Sequence, residues 1–163
     1  MVKYLIGKDK NDEYYKTEIN PLSNQETNVK ALLRVVGWMH LFGLLDTQTD
    51  YLPKELDNKF KESRKVLTSM IQFCLDNGFR PVLVVPPVSN IMNSHIGEDF
   101  INKVLYDNIK KANIQEVPFF DYLRDSRFGD NSLYSYNADF LNTKGRKLFS
   151  DVFVDDLKKI GYV

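Results

Sequence analysis

The chain has 163 residues, 43% hydrophobic and 27% charged, with twenty-two basic side chains against twenty-two acidic ones. That length fits one domain burying roughly two-thirds of its unfolded surface. A net charge of +0 without a basic stripe argues against a nucleic-acid partner or an anionic membrane surface, and a lone cysteine, Cys74, cannot form an internal disulfide.

In chain order, Tyr4–Gly7 reads as a short strand, followed by the polar loop KDKNDEYYKTE. The first residues lack the long apolar stretch and small-residue cleavage site of a signal peptide. No apolar run reaches the ~18–20 residues of a membrane span. The expectation is a soluble, untargeted chain, or one cut from a longer, anchored protein. Residues 28–45, NVKALLRVVGWMHLFGLL, read as one helix or two short ones, with Val29, Leu32, Leu33 and Val36 as its stripe. From Val35 onward nearly every position is apolar, and a helix apolar all round must be covered all round. It lies deep in the domain, packs on missing sequence, or builds a homodimer through residues 35–45. His40, within it, reads as a core histidine.

DTQTDYLPKEL is a connector with Pro53 as its breaker, so residues 1–53 form an N-terminal segment and 54–163 a core. A helix over 57–77 follows, with Phe60, Leu67, Met70, Ile71 and Cys74 on one face and Gly78 as its left-handed cap. Cys74 there is a small buried hydrophobe. Val82–Val85 is a continuous apolar run, the pattern of a strand buried on both faces, ended by Pro86 and Pro87. After the loop SNIMNSHIG, residues 98–113 form an amphipathic helix with Phe100, Ile101, Val104, Leu105 and Ile109 inward. VPFFDY reads as a second short buried strand, and LRDSRFGDNSLYSYNADF as a loop long enough to suggest function or disorder. The last helix starts at Asn142 and aligns Leu148, Phe149, Val152, Phe153, Leu157 and Ile160, with Gly161 as cap. Its acids, Asp151, Asp155 and Asp156, read as a solvated face.

Strands alternating with helices imply an α/β fold, a parallel sheet covered on both faces. Ligands of such sheets bind beyond the carboxyl ends of the strands. That rule gathers three segments on one rim: PPVSN, DYLRDSRF, and the loop ending in NADFLN. No glycine-rich phosphate cradle is present. Two distant histidines and one cysteine give no framework for a transition metal, so neither metal nor cofactor is expected. Nucleophilic catalysis needs a hydroxyl or thiol on a strained turn with a base in reach. Ser89, just past the prolines, and His95, six residues on, are the only pair on the rim side. The plainer alternative makes Ser89 a turn cap and His95 a loop residue.

The second half, GFRPVLVVPPVSN and then VPFFDYLRDSRFGDNSLYSYNADFLNTKGRKLF, resembles the C-terminal part of the SGNH/GDSL-type hydrolases and acyltransferases. It is most like their bacterial envelope branch, which includes proteins of D-alanyl-lipoteichoic acid synthesis. The likeness covers residues 55–160 and rests on the order and spacing of three motifs. It implies a flavodoxin-like, SGNH-type sheet, or an incomplete version of it. The family's D-x-D-H-L-N-x-x-G places its first Asp on Asn137, its second on Asp139 and its His on Phe140. Its Leu, Asn and Gly fall on Leu141, Asn142 and Gly145. In the family the first Asp orients the His and the His activates a serine. Asn137 carries no charge and Phe140 accepts no proton. The nucleophile block that should lie well upstream is missing; Gly7 and Asn11-Asp12 resemble its G-x-N-D segment only faintly and at the wrong spacing.

The resemblance therefore implies a catalytically degenerate domain of an envelope or polysaccharide-modifying system, with a binding or scaffolding role. An active serine esterase or acyltransferase with a rearranged base, or with its nucleophile on a missing upstream half, is one alternative. A dimerising interaction domain is the other. Phe140 is expected to plug the rim, with Asn142 as the helix cap. Ser89, Asn90, Tyr122, Tyr134, Tyr136 and Asp139 are the candidate ligand rim, where the tyrosines and Phe140 would form an aromatic groove for a glycan or acyl-bearing polymer.

Overall fold

The computed structural model describes residues 24–41, 54–134 and 140–163. The strand expected at Tyr4–Gly7 and most of the connector before the core lie outside them. The described chain is mostly helical around a small sheet. Helix α1 spans Asn24–Leu41 and α2 spans Lys54–Asp76; strand β1 is Leu83–Val85. The short α3 is Asn90–Asn93. A continuous helical run follows as α4 (Glu98–Ile101), a π segment (Asn102–Tyr106) and α5 (Asp107–Ala112). Strand β2 is Phe119–Asp121, and α6 is Thr143–Lys159.

The two strands pair in parallel, with Leu83 opposite Phe119 and Val85 opposite Asp121. Among the described residues the sheet has two strands. The expected mixed α/β character with a parallel pair is therefore present, in a much smaller sheet than a doubly wound fold requires. Alternation along the strands divides the interior in two. Val85 points into a cluster of Ala31, Val35, Met92, Ile96, Ile101 and Leu123. Val84 and Phe120 point the other way, toward Tyr122, Phe128, Leu133 and Tyr134 and the inner face of α6.

Local chemistry sets the boundaries. Gly78 (φ 76°) and Gly161 (φ 70°) take the left-handed conformation just past α2 and α6, as expected. The π segment has a visible cause. The Asn108 side-chain amide donates to the carbonyls of Lys103 (2.9 Å) and Val104 (3.0 Å), drawing two backbone acceptors toward one side chain. Arg64 on α2 donates to the Asn108 amide oxygen (2.6 Å), and Thr68 Oγ1 donates to the Ala112 carbonyl (2.8 Å), which ties α2 to α5.

Several expectations about facing are overturned. On α1 the buried residues are Ala31 and Val35, with Trp38 and Met39 packed beside them. The expected stripe of Val29, Leu32, Leu33 and Val36 is exposed, Leu33 at 64%. His40 is exposed rather than a core residue. Ala31, Val35, Trp38 and Met39 form a second apolar line at helical spacing, and it is that line which docks. On α2, Ile71 is buried as expected, but Met70 is 60% exposed. Strand β2 is not buried on both faces: Phe119 and Asp121 are exposed on either side of half-buried Phe120. No described helix is long and apolar enough to cross a membrane.

Candidate functional site

The three rim segments do meet. Past β1, the Asn90 side chain donates to the Gly129 carbonyl (2.7 Å), and Asn93 donates to Val88 (3.2 Å) and Leu123 (3.0 Å) carbonyls. This stitches the PPVSN turn to the segment that follows β2. Asn142 ties in the third segment. Its side-chain oxygen accepts from Gly145 N–H (3.0 Å), and its amide donates to Ser132 (2.8 Å) and Tyr134 (3.2 Å) carbonyls. Asn142 is the helix cap the sequence foretold, and also the pin that holds residues 132–134 against α6. Gly145 is required for the same approach: a Cβ there would stand 2.1 Å from the Leu133 carbonyl oxygen.

Ser89 is 1% exposed, and its Oγ accepts from Met92 N–H at 3.1 Å. It caps α3. A nucleophile must reach its substrate, and this hydroxyl is closed off beneath the turn it caps. His95 lies half-buried in the turn after α3, its own N–H donating to the Met92 carbonyl (3.1 Å). Of the two readings of Ser89, the geometry matches the cap.

The expected aromatic groove does not form from Tyr122 and Tyr134. Tyr122 is 2% exposed and packs edge-on against Phe128 and Phe149, with ring centroids 5.8 and 5.3 Å away. Its hydroxyl donates to Asp156 (2.9 Å). Tyr134 is 6% exposed and donates to the Phe128 carbonyl (2.9 Å). Both rings are core, each satisfying its one polar atom internally, as buried tyrosines do. Phe140 is 53% exposed and so does not plug the rim. Asn90 is exposed, with its side chain on the Gly129 carbonyl. Tyr136, Asn137 and Asp139 lie outside the described residues.

Two groups of polar residues had no clear signature in the sequence. Ser132 is an exposed rim hydroxyl that donates to Asp130 (2.7 Å) and accepts from Lys144 Nζ (3.3 Å). Asp130 also accepts from Ser132 N–H (2.8 Å), making a cap for a short 3₁₀ turn at Asn131–Leu133. Those hydrogen bonds hold its carboxyl below the ordinary carboxylate value. A carboxylate so stabilised is a weaker base than an ordinary aspartate. The second group surrounds Asp156, which accepts from Lys159 (2.6 Å), Tyr122 and Arg127 (3.2 Å). Led by the Lys159 contact, these bring its carboxyl down to about 2. Burial, aided by the bond to Asp156, pushes the Tyr122 hydroxyl up to about 12. Here Asp156 ties the aromatic core to the surface; it is more than the solvated acid expected from sequence. The signal was available in hindsight, since Asp156 follows Phe149, Val152 and Phe153 at helical spacing.

Among the described residues, no group of three His, Cys, Asp or Glu side chains is placed to hold a metal ion. No family model matches this chain, and no curated protein and no solved structure matches it.

Proposed function

We propose that this chain is a catalytically silent α/β domain of the flavodoxin-like SGNH type, with a binding or scaffolding role in a bacterial cell-envelope or polysaccharide-modifying system. One observation carries the reading: Phe140 stands exposed at the position of the family's proton-transferring histidine, while the hydroxyl singled out from the sequence, Ser89, is buried as a helix cap. A benzyl ring moves no proton and a closed hydroxyl attacks no ester. The retained Asn142 and Gly145 hold the rim together without supplying chemistry. Any glycan or acyl-bearing partner would meet Asn90 and Phe140, since Tyr122 and Tyr134 are turned inward.

The test is turnover of p-nitrophenyl acetate by the intact chain. The reading expects the rate of a Ser89→Ala, His95→Ala double variant, which is background. Turnover abolished by either substitution would establish an active esterase instead. A second reading, an interaction domain dimerising through α1, is favoured by the exposed Val29, Leu32, Leu33, Val36 and Leu41. It expects a dimer by light scattering that Leu33→Asp converts to monomer; a monomeric wild type removes it.

A further inference from the structure

Among the described residues, no strand pairs with the outer backbone edge of β2, which lies beside an apolar groove. Leu83 N–H donates to the Pro118 carbonyl (2.8 Å) and Tyr122 N–H to the Val85 carbonyl (2.9 Å). In a parallel ladder these bonds turn the backbone of residues 118, 120 and 122 toward β1, so that of Phe119 and Asp121 faces outward. Parallel strands are ordinarily buried within larger sheets, so a two-stranded pair leaves strong hydrogen-bonding groups available.

The groove beside this edge lies between α5 and β2 and has a volume of about 770 Å³. Ile109, Ile114 and Phe119 supply its apolar surface, with Ile114 68% and Phe119 38% exposed. Its charged lining is Asp107, Glu116 and Asp121 against Lys110, a net excess of acid. The wall is held in shape. Asn113 donates to the Val117 carbonyl (2.8 Å) and accepts from Val117 N–H (3.0 Å), fixing a turn in which Glu116 takes a positive φ of 53°. The strand is three residues long and its charged residue is Asp121, which disfavours an acidic partner more than a basic one.

We infer that this edge accepts an extended segment of another protein as an added strand, one with apolar side chains at alternate positions and basic residues between or beside them. Outward-facing backbone gives the main-chain pairing, the Ile114–Phe119 surface takes the alternate apolar side chains, and the acidic lining selects for Lys or Arg. The inference goes beyond the reading of the rim. It needs the edge and the groove, so an active esterase would leave it standing.

The probe is an acetylated, amidated octapeptide, KVTVKVTV, titrated into the full chain by NMR, with amide hydrogen exchange measured before and after. The expected result is shift changes at Phe119 and Asp121 and slowed exchange of their amides only when the peptide is present. Phe119→Lys should weaken binding about ten-fold, the effect of losing a central apolar contact. Glu116→Gln should weaken it about two- to three-fold, as for a rim charge. It should do so without loss of fold, because its side chain is exposed; Glu116→Gln keeps the test valid if Phe119→Lys fails to fold. Three results would overturn the inference. They are slow exchange at Phe119 and Asp121 in the free protein, binding unchanged in Glu116→Gln and equal for the acidic peptide EVTVEVTV, and a dimer of the free chain that Phe119→Lys dissociates. The first means another part of this chain already covers the edge, and the third means a second copy does.

Discussion

The two faces of the sheet are covered by helices that dock in different ways. On the α6 side, Tyr122, Phe128, Phe149 and Phe153 interlock at centroid separations of 5.3–6.5 Å, mostly edge to face. On the α1 side only Ala31 and Val35 are buried from the helix, while five large apolar residues of the same helix face outward. The difference teaches that apolar content does not make a core; contrast between faces does. Helix α6 carries Lys, Asp and Arg on the side opposite its aromatic stripe, which leaves one way to dock. Helix α1 offers the sheet no such contrast.

The comparison can be broken first by truncation. Phe128→Ala removes a side chain that is 1% exposed and should cost about 3–5 kcal/mol in urea unfolding. Leu33→Ser, on α1, should change stability by less than about 0.5 kcal/mol. Similar costs for the two would erase the distinction between the faces. Glycine substitution is the next lever. Gly145→Ala drives a methyl group into the Leu133 carbonyl and should cost about 3 kcal/mol. Gly37→Ala meets nothing within 4 Å and should instead stabilise α1 by about 0.5–1 kcal/mol. The same urea melts score both.

A further effect is pH-dependent and belongs to the α6 side. Asp156 is held at about 2 against an ordinary value of 3.8, chiefly by its hydrogen bond from Lys159 and then by those from Tyr122 and Arg127. A depressed carboxyl binds fewer protons in the folded state than in the unfolded one. Its contribution is therefore complete above about pH 4 and is lost as pH falls toward 2. Asp156→Asn should flatten the acid limb of stability over that window, while leaving the shape of the curve near neutrality unchanged. An acid limb of equal slope in both proteins contradicts the role given to this carboxylate.

How far the sequence could be read follows the same division. The glycine caps at 78 and 161, the N-cap at Asn142 and the α6 stripe through Phe153 were legible, because each depends on residues within a few positions. The π segment was not, because it depends on Asn108 turning back on its own helix while Arg64, forty-four residues away, holds its oxygen. Tyr122 and Tyr134 were misplaced on the rim for a related reason. Their density in a long loop suggested a groove, but their hydroxyls find Asp156 and the Phe128 carbonyl within the fold, and the rings turn inward. Gly145 was recognisable as a motif position, while the cause, a carbonyl lying where its side chain would be, needed three dimensions.

Whether the rim is chemically silent is read directly by one measurement. The intact chain is treated with a fluorophosphonate probe and the adduct, if any, is located by peptide mass spectrometry. The account predicts no serine labelled above the level of the urea-unfolded protein. A stoichiometric adduct on a single serine of the folded chain, lost when His95 is replaced by Ala, would contradict it.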